Sequence, residues 1–194
     1  MFFAGFGCGM LAIALFLRIW GAVPRSGAQA GTLLDQKREP SATKLAIGLP
    51  ILGLRKENIH DTFDQKRDGD RAHEAVDILA PRGTPVLAVD SGTIRKLFLS
   101  KPGGMTIYQF DPTETYCYYY AHLDQYAEDL IEGKSVRRGE LIGYVGSTGN
   151  ASASAPHLHF AVFELGPERR WWQGKAINPF RLLMQALDQG AANK

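Results

Sequence analysis

From Leu45 onward the chain is cut every few residues by Gly and Pro, and short runs rich in Val, Ile, Tyr, Phe and Thr lie between the cuts. β-branched and aromatic side chains suit a pleated surface, while Gly and Pro supply turns, so the pattern predicts strands with short connections. The expected strands cover residues 85–90 (PVLAVD), 93–98 (TIRKLF), 105–110 (MTIYQF), 115–121 (TYCYYYA), 141–145 (LIGYV) and 158–164 (LHFAVFE). With no long helices between them, they point to an antiparallel sheet or sandwich. One helix is expected near the end: Asn178 is a good N-cap, Pro179 suits the first helical position, and FRLLMQALDQ has apolar residues at helical spacing before Gly190. The expected fold class is mainly β, an antiparallel sheet or sandwich with a short C-terminal helix, preceded by an apolar, helical N-terminal segment. No repeat of 20 to 50 residues is evident.

The N-terminal 17 residues carry no charge, and Ala28-Gln29-Ala30 offers a small-x-small cleavage site. Residues 1–30 therefore read as a signal or membrane-anchor segment, although no basic region precedes it and Arg18 and Arg25 alone would hold its C-terminal flank in the cytoplasm. Residues 31–44 read as a linker, 45–183 as the folded domain, and 184–194 as the end of the helix and a tail. At 194 residues the chain suits one domain with a substantial core. A net charge of +2 with both signs mixed throughout gives no nucleic-acid footprint. Cys8 lies in the apolar terminus and Cys117 in an apolar strand, so no disulfide between them is expected.

Four of the five histidines fall into three tight groups. His73 and Asp77 form a His-x-x-x-Asp, His122 sits in YYYAHLD, and His157 and His159 form a His-x-His in APHLHFAVF. His60 reads as an ordinary surface or core residue. His-x-x-x-Asp alone is weak evidence. His-x-His carries more, because residues i and i+2 of a strand point to one face, roughly 6.6 Å apart at about 3.3 Å per residue. Two imidazoles on one face of an apolar strand make poor packing and good metal ligands. Imidazole and carboxylate are what Zn²⁺ takes from a protein without thiolates, and a catalytic site needs three such ligands and an open position.

The segments HEAVDILAPRGTPVLAVDSGTI, YYYAHLD and GKSVRRGELIGYVGSTGNASASAPHLHF together resemble the lysostaphin-like (LytM-type) zinc metallopeptidases that cut peptidoglycan cross-links. The resemblance runs from about Leu49 to Pro179 with its three blocks in order. It implies that His73, Asp77 and His159 hold one Zn²⁺ per chain and that His122 and His157 are the catalytic imidazoles. It also implies a peptidoglycan peptide substrate and an exported location, in the periplasm or cell envelope, with membrane attachment if residues 1–30 stay uncleaved. The family usually has Gly where this chain has Ala75. Because Ala resists positive φ, the loop between the first two ligands is expected to reach the metal in an ordinary conformation. A less favoured function is that of a catalytically inactive LytM-like binding protein regulating another wall hydrolase, a class that typically lacks the ligands present here. Parts of the chain also resemble lipoyl and biotinyl carriers, but neither Lys134 nor Lys175 sits at the hairpin tip that a carrier needs.

Zinc as a Lewis acid would activate water and polarise an amide carbonyl, and His157 and His122 would serve the oxyanion and the leaving amine. If residues 115–122 alternate as a strand, Tyr116, Tyr118, Tyr120 and His122 share a face, making Tyr118 and Tyr120 candidates for a substrate groove, with Tyr119 left to packing. Arg67 and Arg71 are candidates for holding a substrate carboxylate or the oxyanion. Residues 165–177, with Trp171 and Trp172, form a candidate specificity loop.

Overall fold

Nine strands, one α-helix and a short 3-10 helix at Lys56–Asn58 organise residues 45–67 and 70–192, the residues that this computed structural model describes. The expected export segment, the linker and Cys8 lie outside the described residues. The strands are β1 (Val76–Leu79), β2 (Pro85–Leu87), β3 (Gly92–Ser100), β4 (Gly104–Phe110), β5 (Tyr116–Tyr126), β6 (Ser135–Val136), β7 (Leu141–Val145), β8 (His157–Leu165) and β9 (Gly174–Ile177); α1 spans Pro179–Ala192. Every pairing is antiparallel, in the order β1-β8-β5-β4-β3-β6, with β7 joining β5 to β2 and β9 joining β8. The expected mainly β class with a C-terminal helix is what forms. The helix starts as its sequence demands, with the Phe180 amide donating to Asn178 Oδ1 at 2.9 Å. It continues through Gly190, because one glycine lowers helix stability by only about 1 kcal/mol and does not stop a helix.

β5 is the spine. One edge pairs with β4 while the other pairs with β8 from Tyr116 to Ala121 and with β7 from Leu123. The change of partner falls on His122, whose φ is 60°. Tyr120 stands opposite Ile107 and Leu123 opposite Met105, so β5 spends one residue more than β4 over this step. That is a β-bulge, and it resets the alternation of side chains.

Alternation upstream of the bulge separates core from cleft. Tyr118 pairs with Val162 and Tyr120 with Phe160, and all four are buried. Tyr118 and Tyr120 therefore do not line a substrate groove, contrary to the alternation extrapolated through His122. Their hydroxyls are satisfied inside. Tyr120 Oη accepts from the Val89 amide at 3.0 Å and donates to Gln109 Oε1 at 2.9 Å. Tyr118 Oη donates to Asp90 Oδ2 at 3.1 Å, and Arg138 holds Asp90 Oδ1 at 2.8 Å. Around them, Ile78, Ile94, Ile107, Leu158, Phe160 and Leu183 are fully buried, each contributing about 1.5–3 kcal/mol by leaving water. Ile47, Ile51, Leu54 and Ile59 join the same core from the segment before β1.

Two turns meet beside the bulge. Gly104 has φ 63°, and a Cβ there would lie 2.2 Å from Thr148 Oγ1 and 2.5 Å from the Gly149 nitrogen. Gly133 also has positive φ, 85°, but a Cβ there would meet nothing within 4 Å. Gly133→Ala should cost about 1–2 kcal/mol, the ordinary left-handed penalty of an L-residue. Gly104→Ala should cost a further ~1–3 kcal/mol from overpacking. Urea unfolding of the two variants measures the difference, and equal losses would mean that the two turns are not pressed together.

Candidate metal and catalytic site

Strand register builds the site. Asp77 of β1 stands directly opposite His159 of β8, and His159 stands opposite Ala121 of β5 on its other side. Along β8, Leu158, Phe160 and Val162 turn into the core, while His157, His159, Ala161 and Phe163 line a cleft of about 1000 Å³. His73 reaches the cleft from the loop before β1. Its amide donates to Gln65 O at 2.9 Å, and that of Glu74 donates to Phe63 O at 2.8 Å. Ala75 is buried with ordinary backbone, as expected, and the left-handed turn falls one residue earlier, on Glu74 with φ 56°.

Three donor atoms converge. His73 Nε2 lies 3.1 Å from His159 Nδ1 and 3.1 Å from Asp77 Oδ1, and His159 Nδ1 lies 3.0 Å from Asp77 Oδ1. Donors around a tetrahedral ion with bonds of 2.0–2.1 Å stand about 3.3 Å apart, so the triangle matches a small divalent cation. Protonation fits as well. His73 Nδ1 faces the Thr62 carbonyl at 3.0 Å, which assigns its hydrogen there and leaves Nε2 a lone pair turned to the other donors. Burial pushes the Asp77 carboxyl up, but contacts with His159 and His73 more than reverse this and hold it well below the usual carboxylate range. Burial likewise lowers His159 against the pull of Asp77, favouring neutral imidazole. An ionised carboxylate and imidazole nitrogens pointing at one spot are what a metal requires.

The other two clustered histidines share the cleft. His122 and His157 have ring centroids 4.9 Å apart, and His122 and His159 5.5 Å. The His122 amide donates to Gly103 O at 2.8 Å and its Nδ1 to Thr148 O at 2.8 Å, while His157 Nδ1 donates to Ala155 O at 2.9 Å. Each ring thus commits Nδ1–H to a backbone carbonyl and keeps Nε2 for proton exchange. His157 Nε2 is 3.8 Å from Asp77 Oδ1. Burial pushes His122 down to about 4, the Thr148 carbonyl pulling the other way, so the ring is neutral at pH 7.

The remaining candidates divide. Arg67 and Arg71 both border the cleft, but Arg67 Nη2 is engaged with Asp77 Oδ2 at 2.6 Å. Tyr119, expected to serve packing alone, lines the cleft with Tyr108, because unbroken alternation upstream of the bulge puts it with Ala121 on the same face as His159. Trp171 packs against Phe98 and Tyr108, whereas Trp172 stands 61% exposed at the rim. Sequence reasoning missed Thr62 and Thr148. They act through main-chain carbonyls, which no residue type announces.

An antiparallel β domain carrying two imidazoles and one carboxylate on a cleft, with two further imidazoles beside them, defines a recognisable class of site. The profile of peptidase family M23 matches residues 71–179, and the chain belongs to that family. It is 34% identical over 108 residues to the L-Ala–D-Glu endopeptidase of Bacillus subtilis, covering 53% of this chain and 33% of the relative. It is 34% identical over 91 residues to the peptidoglycan DD-endopeptidase ShyC of Vibrio cholerae, covering 46% of this chain and 20% of that protein. The chain therefore spans a third or less of the length of these curated relatives. Among solved structures, the catalytic domain of lysostaphin from Staphylococcus simulans superposes with a TM-score of 0.51 at 29% identity, over 72% of this chain and 90% of that one.

The donor triangle has a direct test. The native protein should hold about one divalent metal ion per chain, and Asp77→Ala should lose it, as read by elemental analysis after gel filtration. Full occupancy in that variant would remove Asp77 from the ligand set.

Proposed function

We propose that this chain is a zinc-dependent endopeptidase that hydrolyses amide bonds in peptidoglycan peptide cross-links during cell-wall remodelling. His73, Asp77 and His159 hold one Zn²⁺, and His122 and His157 handle protons. The observation that carries this reading is the meeting of the donor triangle with two imidazoles whose Nε2 atoms are uncommitted, all on one cleft. Family membership and the peptidoglycan endopeptidase among the relatives support the substrate class.

Bound at these donors, zinc supplies Lewis acidity toward water and an amide carbonyl. The chain's own groups do the rest. A neutral imidazole accepts at Nε2 the proton that attacking water loses as its oxygen bonds to the carbonyl carbon. Imidazolium is disfavoured at the buried His122, so a proton resting there passes readily to the amine nitrogen as the C–N bond breaks. Arg71 and Trp172 border the same cleft, whose volume of about 1000 Å³ suits a peptide substrate.

The test uses purified sacculi and the zinc-loaded protein, with released muropeptides read by mass. Wild type should release peptides, while His122→Ala should keep metal and fold but lose roughly 10²–10⁴-fold in rate, the usual worth of an acid/base group. Binding to sacculi without any product in the wild type would instead favour a regulatory binding protein.

We further propose that residues 45–183 act outside the cytoplasmic membrane, with the apolar stretch at 1–17 directing export and 31–44 giving the domain slack. This runs against the charge of Arg18 and Arg25. A reporter active only after export, fused behind Lys194, should give signal, and signal from a cytoplasm-only reporter would refute the location.

A further inference from the structure

The two oxygens of Asp77 have different partners. Oδ1 faces His73 Nε2 at 3.1 Å and His159 Nδ1 at 3.0 Å, whereas Oδ2 faces Arg67 Nη2 at 2.6 Å. Arg67 is itself fixed by backbone: its amide donates to Arg71 O at 2.8 Å, and Lys66 bridges to Ala72 across the same turn. This turn leads into His73, so one short stretch delivers both a metal-type donor and the guanidinium behind the next one.

We propose that Arg67 is a positioning residue that restricts Asp77 to a single donor oxygen. The inference rests on the metal site proposed above. An unrestrained carboxylate can rotate and give a cation both oxygens. That would fill a position on the cleft side and place more negative charge against the ion, weakening it as a Lewis acid. A guanidinium on Oδ2 opposes that rotation with a short, charge-assisted hydrogen bond and withdraws carboxylate charge. The side chains of Arg67 and Asp77 are 39% and 23% exposed, so the pair is partly screened and the direct bond matters more than its distant field. Arg67 thereby acts through Asp77, not as the substrate clamp that its place in the sequence suggests.

Cobalt(II) in place of zinc provides the readout, because four-coordinate cobalt absorbs visible light more strongly than five- or six-coordinate cobalt. Wild type, Arg67→Lys and Arg67→Met are loaded with cobalt, and their visible spectra are recorded per bound ion. Wild type should show the intense four-coordinate band. Arg67→Met, similar in length but without charge or donors, should lose intensity or lose the ion. Arg67→Lys, with one charged donor, should fall between the two. A near-ultraviolet circular dichroism spectrum checks the fold, and if the Met variant fails it, Arg67→Gln serves as the uncharged arm. A spectrum in the uncharged variant identical to wild type overturns the role of Arg67 while leaving the metal site intact. Failure of the wild type to take up cobalt overturns both, and activity on sacculi is not needed to tell these outcomes apart.

Discussion

The site depends on strand register. Asp77, His159 and Ala121 lie in one row across β1, β8 and β5, so the carboxylate from the sheet edge meets the imidazole at its middle only in this pairing. A slip of one residue between β1 and β8 would turn Asp77 toward the core and bring Val76 or Ile78 to the imidazoles. The buried faces prevent this. Val76 and Ile78 on β1, with Leu158 and Phe160 on β8, are sealed from water, and moving them to the cleft would lose several kcal/mol of apolar burial. Hydrophobic patterning on one face thus fixes polar chemistry on the other.

The bulge at His122 brings in the second half of the site. Without the extra residue, strict alternation would place His122 with Tyr118 and Tyr120 inside the core. A left-handed backbone at a non-glycine residue costs on the order of 1–3 kcal/mol and persists where its surroundings enforce it. Here the Gly103 carbonyl holds the His122 amide, the Thr148 carbonyl holds its ring, and the packing of Gly104 on Thr148 and Gly149 joins those two turns. Small side chains complete the arrangement: Ala121 and Ala161 keep the cleft floor low beside the imidazoles.

Much of this was legible in the chain. The strands with β-branched or aromatic runs formed near where expected, although the one expected over 85–90 ends at Leu87 and the one expected over 115–121 runs on to Tyr126, and the shared face of His157 and His159 followed from spacing alone. Three strands were not legible. Ser135–Val136 is too short to carry a period, Gly174–Ile177 forms because β8 offers it an edge, and Val76–Leu79 sits in a segment dominated by its His-x-x-x-Asp spacing. Tyr118 and Tyr120 were misplaced for a different reason. A bulge is a tertiary event, marked in the sequence by no residue at His122 that favours positive φ as glycine does. The carbonyls of Thr62 and Thr148 were equally hidden, because a backbone acceptor has no identity until the fold aims it.

The pairing of Asp77 with His159 has a mechanical side. β1 is a four-residue strand at the border of the sheet, and such strands fray first. Two of the three donors, His73 and Asp77, belong to that border, while the third belongs to a strand flanked on both sides. A cation held by all three would act as a rivet between the fraying edge and the interior. Its binding free energy would then appear as resistance of β1 to local opening, so that ion occupancy and the lifetime of the sheet border become one coupled quantity.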